Sequence, residues 1–180
     1  EVFKIEKKKR YTPKAKVHIA PLLDFTENKK KNILTRVKEI STGPLTEGLV
    51  LIAYGDATYH TEWSGLMRNV AGYIQENTGI PDYSFGWCGH IAHYNPDSTT
   101  MPINKVLQKK NTALVIPVLV AFDEMFQIKI IGGGIEKVKD AKEKVKYKPD
   151  AILPDKNVEN WVIQTTRDFT RQITSSVAKN

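Results

Sequence analysis

Three short polar stretches gather the side chains able to move protons or hold a metal ion. The first carries Tyr54, Asp56, Tyr59 and His60, the second Cys88, His90, His93 and Asp97, and the third Asp123, Glu124 and Met125. Imidazole with carboxylate is a donor set for a divalent cation and equally a set for general acid–base chemistry. On this reading His60, His90, His93 and Glu124 would hold the metal, and Glu124 and His60 would move protons. Glu124 and Asp123 come after a long apolar run, Thr112 to Val120, where desolvation would raise a carboxyl pKa toward the range useful for taking protons. Trp87, Phe122, Met125 and Phe126 would wall a flat apolar ligand, with Tyr54, Asp56, Tyr59 and Asp123 adding polar contacts.

Each assignment has a structural alternative. His90 and His93 are three residues apart, which suits a metal only if that loop turns helically; otherwise they cap loops. His60 stands just before a helical pattern, where a capping role is open to it. Asp123 and Glu124 can serve as a helix cap and its neighbour, and the aromatic and thioether side chains can be core. The Gly132-Gly133-Gly134 triplet predicts a loop whose amides could meet an anion. No P-loop, G-x-G-x-x-G or G-x-S-x-G pattern is present, so no nucleotide cofactor is expected.

The elements that must position these residues are read from apolar runs. Short strands are expected at 16–20, 49–53, 83–87, 112–120 and 145–148, the continuous apolar ones being buried on both faces. Helices are expected after Asp24, over 62–77, over 103–109, over 135–143 and over 157–177, with Asp155 or Asn157 capping the last. Residues 126–131 read as either a helical turn or a strand. Strand–helix alternation makes the class α/β, a three-layer flavodoxin-like lobe with a mainly parallel sheet. Right-handed crossovers then place the loops after Ala53, Trp87 and Val120 along one edge.

The stretches KVHIAPLLD and KVKYKPDAILPD, each followed by a helix, read as an internal repeat. Residues 1–45 would then be the tail of a preceding half, and residues 46–180 a lobe of their own. The alternative is a chance likeness of two strand–helix units.

The 180-residue chain is 41% apolar and 26% charged, enough for one good core. Its net charge of +7 comes mainly from lysine; arginine is sparse, which argues against a nucleic-acid partner and leaves a solvated surface or a field drawing a small polyanion. One cysteine excludes an internal disulfide. No apolar run reaches membrane-spanning length. A cytoplasmic location is the favoured expectation, with a periplasmic one open if a signal has been removed.

The order strand, polar loop Tyr54–His60, long helix, strand ending at Trp87, helix, then VIPVLVAFDEMFQI resembles the class II metal chelatases, the group holding ferrochelatase and the sirohydrochlorin cobalt chelatases. The resemblance spans about residues 49–173. It implies a pair of flavodoxin-like lobes facing a cleft, an anionic tetrapyrrole as ligand, Co²⁺ or Fe²⁺ inserted as substrate without ATP, and a second chelatase-like lobe as partner. The family's first histidine position is held here by Tyr54. Its second falls at Glu124 or Met125, and its acidic residue at Gln127. Three arrangements are then open: a rewired site using Tyr54, His60, His90 and Glu124, histidines supplied by the other half, or a lobe that binds a tetrapyrrole or metal without catalysis.

Overall fold

In a computed structural model, residues 14–15, 17, 19–20 and 25–177 are described. Four parallel strands form one sheet: β1 (Glu47–Ala53), β2 (Asp82–Trp87), β3 (Thr112–Val118) and β4 (Val145–Tyr147), in the order β2-β1-β3-β4. The α/β three-layer expectation holds. Alternate residues of the central strands feed two cores. Leu49, Leu51 and Ala53 of β1 join Leu114, Ile116 and Val118 of β3 on one face, beneath helices α1 (Phe25–Ile40) and α2 (His60–Thr78). Val50, Ile52, Ala113 and Val115 point to the other face, beneath α3 (Asp97–Leu107) and a π-helical segment, Met125–Gly132. A strand buried on both faces needs no polar alternation, which is why β1 and β3 read as unbroken apolar runs.

The compact unit runs from Asp24 to Glu159 and therefore includes α1, whose Ile33 and Val37 are fully buried. The chain leaves β1 for β2 on one side, then returns past β1 to β3 on the other. The point of reversal lies between β1 and β3. There the loops leaving the two strands part, which makes the carboxyl edge of that strand pair the usual ligand crevice of such sheets. Ala53 pairs with both Trp87 and Val118, so the three loops leave one edge together.

A second unit comprises residues 1–23 and 160–180, described mainly through α6 (Lys156–Val177), which begins within the first unit. Asp155 starts α6, its Oδ1 accepting the amides of Asn157 and Val158 at 2.9 and 3.0 Å. Further along, Thr166, Thr170 and Thr174 each donate a hydroxyl one turn back along the helix. The strand expected at 16–20 includes residues 16 and 18, which lie outside the described set; Val17 and Ile19 are 67% and 87% exposed. Among the described residues no helix is long and apolar enough to cross a membrane.

Local expectations need correction in three places. The helix expected over 103–109 starts six residues earlier, at Asp97, and runs through Pro102. The helix expected over 135–143 is broken: α4 (Gly133–Glu136) and α5 (Ala141–Lys144) are separated at Asp140, which takes a left-handed conformation with φ 58°. The glycine triplet is no loop. Gly132 and Gly133 are helical, at φ −58° and −62°, and a Cβ on Gly134 would stand 1.8 Å from Thr99 Oγ1 and 2.5 Å from Pro96 O. Close approach to α3 explains the glycine there. The Gly133 amide is spent on Ile128 O and Ile130 O, so no amide nest is offered to an anion.

Candidate functional site

Tyr54 is the first residue beyond β1, and its ring stands edge-on to Phe126 and His90, each at 5.5 Å between centroids. Tyr94 closes the group, 5.1 Å from His90 and 6.1 Å from Phe126. These four rings join all three loops at the β1/β3 crevice. Gly89 permits the approach, since a Cβ there would meet the Tyr54 ring at 2.8 Å. The hydroxyls form a chain: Tyr54 Oη to Tyr94 Oη at 3.3 Å, and Tyr94 Oη to His90 Nδ1 at 2.8 Å and Nε2 at 3.1 Å. The bond to Tyr94, and then burial, push the Tyr54 phenol up to about 12.

A second aromatic group forms around Trp87, contacted by His60 at 5.7 Å, Phe85 at 5.5 Å and Trp63 at 6.3 Å. His60 thus belongs to the start of α2 and the Trp87 side, and His90 to the Tyr54 side. His93 is exposed, at a left-handed residue with φ 50°. Among the described residues no three histidine, cysteine, aspartate or glutamate side chains are placed to hold a metal ion. His60, His90, His93 and Glu124 are not brought together.

The carboxylates of the first and third loops do structural work. Asp56 Oδ1 accepts the amides of Thr58 and Tyr59 at 2.8 and 3.2 Å, closing the turn that launches α2 and leaving Tyr59 59% exposed. Asp123 Oδ1 accepts the Met125 amide at 2.8 Å and its carbonyl accepts those of Phe126 and Gln127, which starts the π-helical segment. Glu124 corrects the desolvation expectation. The chain leaves the sheet after Val118, and residues 120–125 all face solvent; the Glu124 side chain is 70% exposed, with Lys129 Nζ 3.8 Å away. Phe122 and Met125 are exposed rather than core, at 55% and 45%, and Phe122 lines a hollow with Arg36, Asp150 and Leu153, away from the Tyr54 group.

Two residues organise the site in ways the sequence did not suggest: Gln127, noted there only as a family position, and Tyr94. Gln127 is fully buried: its Nε2 donates to Ala121 O (3.3 Å) and Asp150 O (3.1 Å), and its Oε1 accepts the Asp123 amide (3.0 Å). It clamps the third loop to the strap beyond β4, helped by the Tyr147 hydroxyl donating to Gln127 O at 2.7 Å. Tyr94 is the other. It and His93 are consecutive non-glycine residues at positive φ, 53° and 50°. Only its place in a histidine-bearing loop hinted at it; the local strain that aims its ring leaves no sequence signature. Cys88, fully buried behind the loop, has its thiol pushed up to about 12 by burial and is no nucleophile. Comparison of the chain with known protein families and with curated proteins returns no match.

Proposed function

We propose that this chain is a chelatase-type lobe, holding an anionic tetrapyrrole over the β1/β3 crevice for insertion of a divalent metal, Co²⁺ or Fe²⁺, as substrate. The observation that carries the reading is the aromatic group itself: Tyr54, His90, Tyr94 and Phe126 at the point where the strand order reverses. Flat conjugated ligands are held by such faces. A net charge of +7 supports an anionic one.

Metal insertion also needs a group that takes the two pyrrole protons. One specific observation favours a second reading, binding without catalysis: the Tyr54 hydroxyl is engaged with Tyr94, and Glu124 lies out in solvent beside Lys129. Absorbance titration with a metal-free polycarboxylate porphyrinoid, with and without Co²⁺, separates the two. Saturable binding and then the spectrum of the metallated macrocycle support the chelatase. Binding with no metallation leaves the binding module. No binding overturns both.

A further inference from the structure

Strand β2 ends the sheet, with β1 as its one neighbour among the described residues. Its ladder bonds come from alternate residues. Cys88 N donates to Ala53 O at 2.9 Å, and Ala53 pairs with Trp87, so the amides and carbonyls of Ser84 and Gly86 turn toward β1 and those of Tyr83, Phe85 and Trp87 turn outward. The Ser98 hydroxyl donates to the outward Trp87 carbonyl at 2.7 Å. Tyr83 and Phe85 keep theirs open. From Tyr83 to Trp87 the strand has no proline and no charge, the usual guards of an edge. The opposite edge has both: β4 is three residues long, carries Lys146 and is followed by Pro149. A groove of about 370 Å³ lies beside the β2 edge, lined by the strand and by Ile91, Met101, Pro102 and Lys105. Met101 is 71% exposed there.

We propose that the β2 edge docks an extended, acidic segment of another protein, which adds a strand beside β2. The segment's backbone bonds to the open groups of Tyr83 and Phe85, an apolar side chain lies in the groove against Met101, and a carboxylate meets Lys105. Charge decides the occupant. Lys105 is the one charged residue lining the groove, and among the described residues it has no ionic partner. Asp82, at the start of β2, is already paired with Lys109 and Lys110 at 3.5 and 3.4 Å. A second copy set against this edge about a two-fold axis would bring its own Lys105 to the same place, and each copy carries a net charge of +7. An acidic segment meets neither penalty and offers Lys105 the partner it lacks.

This docking site uses none of the Tyr54, Tyr94 and His90 contacts and stands whether or not a macrocycle binds. The probe is the capped peptide acetyl-Glu-Val-Thr-Ile-Thr-Val-Glu-amide, titrated into the intact chain and followed by ¹H–¹⁵N NMR with hydrogen exchange. Saturable binding is expected, with exchange of the Tyr83 and Phe85 amides slowed roughly tenfold or more and that of Ser84 and Gly86, already in the ladder, unchanged. N-methylation of the three central peptide residues leaves the side chains in place and removes backbone donors, so it should weaken binding roughly tenfold or more. Lys105→Glu should weaken the acidic peptide by roughly fivefold or more and favour its counterpart with lysine at both ends. Met101→Glu should abolish binding, with far-UV circular dichroism unchanged because that side chain faces solvent. No binding of the acidic peptide, equal binding of the N-methylated one, or shifts centred away from residues 83–87 would each overturn the proposal. A dimer in analytical ultracentrifugation that Met101→Glu converts to monomer would do so too, since a second copy would then hold the edge.

Discussion

Replacing Gln127 by glutamate exchanges the amide nitrogen for an oxygen at the best-defined structural joint of the crevice, and the consequence is calculable. The Gln127 amide nitrogen donates to two carbonyl oxygens, Ala121 O and Asp150 O, and a carboxylate can donate to neither. The ionised variant therefore aims negative charge at two acceptors inside a fully buried position. Fully buried carboxyls rise by up to about 3–5 pH units; with Ala121 exposed and water able to reach it, about 2–3 units is expected, or roughly 3–4 kcal/mol at 1.36 kcal/mol per unit. A folded pKa raised above the unfolded value of about 4.3 means that the penalty is absent below that value, grows as pH rises toward the folded pKa, and is constant beyond it. Gln127→Ala differs in kind: it loses three hydrogen bonds and leaves a cavity, about 2–4 kcal/mol with no pH dependence of its own. Urea unfolding of the wild type and both variants at about pH 5 and about pH 8 separates the cases. Gln127→Glu should already be about 1–2 kcal/mol weaker than wild type at the lower pH, where the penalty has begun and the acid keeps one of the two donations, and about 2 kcal/mol weaker again at the higher one, while the alanine deficit stays constant. An equal glutamate deficit at both pH values would refute the geometry assigned to this side chain.

Neighbouring contacts lead to other outcomes. Gly134→Ala should lose about 1–3 kcal/mol, read as a lower Tm, because its Cβ would meet Thr99 and the Pro96 carbonyl; an unchanged Tm would mean that α4 does not pack there. Burial works to raise the Glu47 carboxyl, but Lys146, Ser41 and the Thr42 amide outweigh it and hold it at about 2. With the folded pKa below the unfolded one, its stabilisation is complete above about pH 4.5 and is lost as pH falls toward about 2, so Glu47→Gln should flatten that part of the stability–pH curve measured by urea unfolding. The Cys88 thiol should resist a disulfide-exchange reagent in the native protein and react on unfolding, and fast native labelling would contradict its burial. Arg36→Met should cost about 3–5 kcal/mol, since the buried guanidinium donates to Pro117 O at 2.8 Å and pairs with Asp150.

How much of the fold and the site was legible in the sequence depended on whether the cause was local. Strands β1 and β3 were readable because burial on both faces forces an unbroken apolar run, and the start of α6 because Asp155 caps it through its own side chain. The sheet edge that gathers the three loops came from chain order alone. The π-helical segment was not readable: its first turn is set by Asp123 and by a Gln127 side chain that reaches residues 121 and 150, neither of which marks the local pattern. The glycine triplet looked like a loop because its cause, contact with Thr99, lies far away in sequence. At the site, residue types suggested chemistry correctly in kind but not in grouping. His60 and His90 fall into different aromatic groups, and Tyr54 meets Tyr94 and His90 instead of a carboxylate. The exposure of Glu124 was not legible because a buried strand does not oblige the next residues to be buried; the chain turns outward at Val120, which is 53% exposed.

The most direct test of the tetrapyrrole reading is a map of amide chemical shifts in ¹H–¹⁵N NMR as a metal-free polycarboxylate porphyrinoid is added. The reading predicts saturable shifts concentrated in residues 54–60, 87–94 and 120–126, around the β1/β3 crevice. A further cleft of about 620 Å³ lies elsewhere, lined by Asn104, Lys110, Asn111, Lys139 and Lys144. Shifts gathered at that basic cleft, with residues 54–60 and 120–126 silent, would contradict it.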